Sequence, residues 1–147
     1  MKIDEINLTI IKHLLNGRKS FKVIADDLSI TENTVRARVN RLIEEKVLDV
    51  NGLVDPEQIP GHRVVVVGVK LGTMNLMAKG EEFSRLKGVI SVCVVTGRYD
   101  LILTVLLRDD YDLLHFYKDE VSQIQEVQSV ETFVVYKAFN LKVPYIL

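Results

Sequence analysis

The stretch TENTVRARVNRL, residues 31–42, sets Arg36, Arg38 and Arg41 within six positions and places no acid from Asn33 to Ile43. Guanidinium groups clustered beside the amides of Asn33 and Asn40 and the hydroxyl of Thr34 can bind phosphate and hydrogen-bond to base edges. A second group is GRYD, residues 97–100. Read alone it is a hairpin connection, in which Gly97 supplies a permissive backbone and Asp100 bonds to nearby amides. Elsewhere the reactive side chains are scattered: His13, His62 and His115 each stand alone, and Cys93 is the sole cysteine. No CxxC, HxxxH, His pair, Cys/His pair or carboxylate cluster appears, so no catalytic residue, metal or cofactor is expected. Asp109 and Asp110 read as the N-cap of a helix, and Cys93, in an alternating strand, as a small core residue.

The elements that must carry the arginines have helical spacing. Ile6, Ile10, Leu14 and Leu15 form one apolar stripe, with Asp4 as N-cap and Gly17 as stop. Ser20 opens a second helix through Val23, Ile24, Ala25 and Leu28. Thr31 opens a third, with Val35, Val39, Leu42 and Ile43 at i, i+4, i+7 and i+8. At about 100° per residue these four cluster on one side of the third helix. Asn33, Ala37, Asn40 and Arg41 then lie opposite, with Arg36 and Arg38 on the flanks. The short SIT turn before this helix has helix-turn-helix spacing. VLDVNGLVD then reads as two extended pieces around an Asn-Gly turn, a wing.

DPEQIPG, residues 55–61, reads as a linker. Beyond it, HRVVVVGVKL, GVISVCVVT, LILTVLL and VQSVETFVVYKAF read as strands, and residues 74–86 and 110–124 as helices. The order is βαββαβ, a ferredoxin-like sandwich. The expected fold class is therefore α+β, with a winged helix-turn-helix over 1–54, a linker over 55–61 and the second domain over 62–147. The strands are apolar at nearly every position, which implies burial of both sheet faces. Two helices cover one face, so a second copy is expected against the other. The apolar VPYIL end is expected to pack on its own or a neighbouring protomer, or to fold back onto the wing or linker.

Composition agrees with a folded chain: 147 residues, 48% hydrophobic and 27% charged, with a net charge of -1. Such a balance confines any nucleic-acid contact to a local patch. The start KIDEINL has no leader pattern, and no run of about 18 apolar residues occurs, so a cytoplasmic protein without membrane contact is expected.

DEINLTIIKHLLNGRKSFKVIADDLSITENTVRARVNRLIEEKVL, followed by VDP and PG, resembles the helix-turn-helix of the Lrp/AsnC (leucine-responsive, feast/famine) family. GRYDLIL resembles the signature of that family's effector (RAM) domain. The resemblance implies a sequence-specific transcriptional regulator that binds double-stranded DNA as a homodimer or larger ring and answers to a small amino acid. It places DNA contacts at Asn33, Thr34, Arg36, Ala37, Arg38, Asn40 and Arg41. Arg38 has a second reading, as a tie between the helix and its own domain. The resemblance places the effector at Gly97, Arg98, Tyr99, Asp100 and Thr132, where subunits meet. An acidic Asp100 suits an ammonium and Arg98 a carboxylate. Lys46 departs from the family, which has glycine there, and a lysine at φ > 0 costs about 1 kcal/mol. Two other readings share the architecture: a DNA-wrapping protein without an effector, and an enzyme similar to the siroheme decarboxylases.

Overall fold

A computed structural model describes residues 3–147 and divides the chain into two compact units, one ending at Asn51 and one running Gly52–Leu147. The first holds three helices, α1 (Glu5–His13), α2 (Phe21–Leu28) and α3 (Glu32–Glu44). Each expected N-cap is in place. Asp4, Ser20 and Thr31 accept from the backbone N–H groups of Asn7, Val23 and Thr34, which have no partner within the helix. The turn into α3 uses Ser29 in the left-handed region, φ 54°. Ile10, Ile24, Ala25, Val35 and Val39 form the core, with Leu14, Phe21, Leu28, Ile30 and Leu48 packed around it. The stripe read for α1 is partly displaced: Ile6 and Leu15 are exposed, while Asn7 is buried. A polar contact to α3, described below, draws Asn7 inward. Val23 and Ile43, read as core, are also largely exposed. Lys46 sits at φ 57°, as a lysine in the family's glycine position must.

The hairpin expected around Asn51 and Gly52 does not form. Strand β1 (Leu53–Val54) pairs antiparallel with β6 (Val143–Pro144), so the C-terminal segment takes the place of the first arm of the wing. Of the fates expected for the VPYIL end, two are seen together: it folds back onto β1 and packs on the sheet of its own chain. A 3-10 turn over Pro56–Gln58 lies within the expected linker and is pinned from the same side. Glu57 accepts from the Ala138 N–H at 2.9 Å and from Lys137, and Lys142 reaches Asp55 at 2.8 Å.

The second unit is built on β2 (His62–Leu71), β3 (Val89–Val94), β4 (Leu101–Arg108) and β5 (Val127–Val134), in the order β3-β4-β2-β5 and antiparallel throughout. With α4 (Leu76–Ser84) and a second helical segment, this is the expected ferredoxin-like arrangement. One face carries Val65, Val67, Val69 and Leu71 from β2 and Leu101, Leu103, Val105 and Leu107 from β4. Phe83 of α4 and Phe116 are fully buried against it. The opposite face is covered only in part: Val64 and Leu106 are buried under Val143, with Leu141 and Leu147 beside them.

The second helical segment, α5, begins at Leu113–His115, continues as a π turn over Phe116–Glu120 and closes as a 3-10 turn over Val121–Gln123. Its N-cap is Asp112, not Asp109 or Asp110; those two pair with Arg63 and Arg108. Strand β5 stops at Val134, short of the expected Phe139, because the chain turns there toward Glu57. Cys93, expected in the core, is exposed. Its register partner is Ile102, on the face away from the helices. Among the described residues, no helix is long and apolar enough to cross a membrane.

Candidate nucleic-acid interface

Val35, Val39 and Leu42 turn one side of α3 into the core, which leaves Asn33, Thr34, Ala37 and Arg41 on the other. Together with Arg38, Asp4 and Asn7 they line an open concavity on the three-helix unit. Arg36 lies outside it, with its guanidinium 5.2 Å from the ring centre of Phe21 in α2. Asn40 is exposed. The cluster expected on α3 is thus divided, with Arg36 toward α2 and Arg38 and Arg41 in the concavity.

Each arginine has an acidic partner that lies outside the acid-free stretch. Arg36 donates to Glu32 at 2.8 Å, and Arg41 donates to Glu45 at 3.0 Å. Arg38 Nη1 bonds to both oxygens of Asp4, at 3.0 and 2.8 Å, and to Asn7 Oδ1 at 2.9 Å. Its side chain is 30% exposed, against 64% for Arg41. Arg38 therefore ties α3 to the start of α1, the second of its two readings. The Asn7 N–H, and then Arg38, hold the Asp4 carboxyl below its ordinary 3.8. Glu32 and Glu45 were legible as i, i+4 partners. Asp4, 34 residues from Arg38, carried no such signal.

In the second unit, Gly97 has φ 117°, and a Cβ added there would meet nothing within 4 Å. Tyr99 lays its ring over Gly68, where an added Cβ would meet ring carbons at 2.8 Å. The Tyr99 hydroxyl donates to Glu131, and Arg98, 78% exposed, pairs with the same carboxylate at 3.1 Å. Asp100 turns inward: its oxygens accept from the Leu71 N–H at 2.8 Å and from Lys70 Nζ at 3.0 Å. The Leu71 amide first, then Lys70, holds its carboxyl low. Thr132 is not brought to this loop. It shares a hydrogen bond with Tyr117 of α5, on the helix-covered face, whereas its neighbour Glu131 points to the other. Glu131, unnoticed in the sequence, is the carboxylate that gathers Arg98 and Tyr99.

Residues 3–43 match the AsnC-type helix-turn-helix domain, and residues 64–142 match the Lrp/AsnC ligand binding domain. The chain is 31% identical over 137 residues to an uncharacterised HTH-type transcriptional regulator of Pyrococcus abyssi, covering 92% of this chain and 87% of the relative. The crystal structure of PH0061 has a TM-score of 0.81 at 22% identity, covering 97% of this chain and 98% of the other. The Neisseria meningitidis transcriptional regulator NMB0573, solved as an L-Met complex, has a TM-score of 0.72 at 19% identity, covering 99% and 96%. These two share the fold. With both halves matched in order and a relative above 30% identity across nearly the whole length, the chain belongs to the Lrp/AsnC family of HTH-type transcriptional regulators.

Proposed function

We propose that this regulator recognises specific double-stranded DNA through the exposed side of α3, and that a small amino-acid-like effector bound on the second unit modulates it. The observation that carries the DNA reading is the concavity in which Asn33, Thr34, Ala37 and Arg41 stand together along one side of α3, from its first turn to its last. Recognition helices meet base edges with such residues. Arg41 is the base-reading arginine and Arg36 the flanking one, with Asn40 beside them. Arg38 holds the helix in place. Binding of the intact protein to DNA from upstream of its own gene and to a scrambled sequence, across several salt concentrations, tests the reading. Specific recognition keeps a preference for the first at every salt, whereas a DNA-wrapping protein shows equal affinities with the same steep slope.

The effector reading rests on the loop of Gly97, Arg98, Tyr99 and Asp100. Arg98 and the unhindered backbone at Gly97 suit a ligand carboxylate, and Glu131 suits an ammonium. Asp100 shapes the loop through Leu71 and Lys70. Thr132 supports β5 from the far side through Tyr117. The structural neighbour solved with L-Met supports the ligand class. The partly covered sheet face beside this loop, where Phe133 is 44% exposed, is where a second copy packs in a homodimer, the unit of any larger ring. Calorimetry with the twenty amino acids, on the wild type and on Glu131→Gln, tests the site. Heat from none of them, or equal affinity in both proteins, contradicts it.

A further inference from the structure

We propose that Glu32 is a specificity determinant, which acts by competing with DNA phosphate for the guanidinium of Arg36. The inference rests on the reading that α3 faces DNA. Arg36 is gripped from two helices at once, by Glu32 Oε1 one turn earlier on α3 and by the Phe21 ring on α2. An i, i+4 ion pair on an open surface is weak by itself, and the aromatic contact adds a hold from a second direction. The placement costs the helix little. Glu precedes Arg, the favourable order, and Glu32 lies in the first turn of α3, where the helix dipole favours a carboxylate.

For a helix that meets a polyanion, the same placement has a further consequence. The first turn is the part of a recognition helix that approaches the groove. A carboxylate there repels phosphate and neutralises the nearest cation. Non-specific affinity is almost wholly counterion release by free cations, so an arginine already paired with an acid contributes little to it. Where the fixed register on a cognate site holds a phosphate against Arg36 in place of the carboxylate, the pair opens and the loss is regained. Glu32 thus lowers affinity for arbitrary DNA more than affinity for the cognate site. Arg38 does not behave in this way, because its bonds to Asp4 and buried Asn7 serve the fold.

Fluorescence anisotropy on the intact protein compares wild type, Glu32→Gln and Glu32→Asp on upstream and scrambled DNA over a range of salt. Glu32→Gln is expected to bind scrambled DNA several-fold more tightly. Its salt dependence there should steepen by about one counterion, and the ratio between the two DNAs should narrow. Glu32→Asp keeps the charge and is expected to stay near wild type. A helix-stability role alone moves neither the slope nor the ratio. An unchanged slope and affinity on scrambled DNA in Glu32→Gln, or equal weakening on both DNAs, overturns the proposal while leaving the DNA reading intact. A wild type that binds neither DNA overturns both.

Discussion

At the scale of single residues, the three arginines of α3 have separate tasks, and substitution distinguishes them. Arg38→Ala leaves the buried Asn7 Oδ1 without its donor, so thermal unfolding should show a loss of about 1–3 kcal/mol, the usual consequence of orphaning a buried acceptor. Its partner Asp4 links the same contact to pH. A carboxyl held below its ordinary 3.8 stabilises the fold in full above that value, and the contribution disappears as pH falls through the lowered one. Acid unfolding monitored by circular dichroism should therefore show this loss below about pH 4. Asp4→Asn, less stable at neutral pH, should show a shallower decline there, and parallel curves for the two proteins would contradict the assignment. Lys46, at φ 57°, holds strain that glycine does not. Lys46→Gly should stabilise by up to about 1 kcal/mol in denaturant titration, less the entropy that glycine adds to the unfolded chain.

At the scale of elements, local signals were legible and long-range ones were not. The three N-caps follow from side chains that act within four residues of themselves, and the helical period gives Val35, Val39 and Leu42 of the α3 core but not the exposed Ile43. Strand β2 ends where its sequence says because the apolar run ends there. The wing was misread because its partner lies about ninety residues away: Leu53 and Val54 pair with Pro144 and Val143, and an Asn-Gly pair specifies a turn only if the flanking arms pair with each other. Asp4 with Arg38, and Glu131 with Arg98 and Tyr99, were hidden for the same reason. Thr132 was grouped with the GRYD loop, but strand parity, which depends on register, turns its side chain to the helix-covered face. A packing prediction follows from Gly68. In Gly68→Ala the new methyl must push the Tyr99 ring off the sheet, which should cost about 1–3 kcal/mol in thermal unfolding and break the Tyr99–Glu131 bond. A Tyr99 ring that keeps its place in the variant's structure, with stability unchanged, would contradict this packing.

At the scale of the whole molecule, the second unit presents a sheet that its own chain covers on one side and only partly on the other, with Phe133 of β5 exposed, as are Tyr136 and Phe139 just beyond the strand. Sedimentation at micromolar concentration should therefore give a dimer, and a stable monomer would contradict that reading. Two helix-turn-helix units in such a dimer are suited to half-sites about one helical turn of DNA apart. The family fixes the protein as a regulator, and the further account stands on the face of α3 that meets DNA. The most direct test is the affinity of wild type and Arg41→Ala for DNA from upstream of the protein's own gene and for scrambled DNA, at matched salt. The account predicts that the wild type prefers the upstream DNA by about a thousandfold or more, and that Arg41→Ala loses about 1–3 kcal/mol on that DNA with relaxed preference at one base position. Equal affinity of the wild type for both DNAs, or unchanged binding by Arg41→Ala, would contradict it.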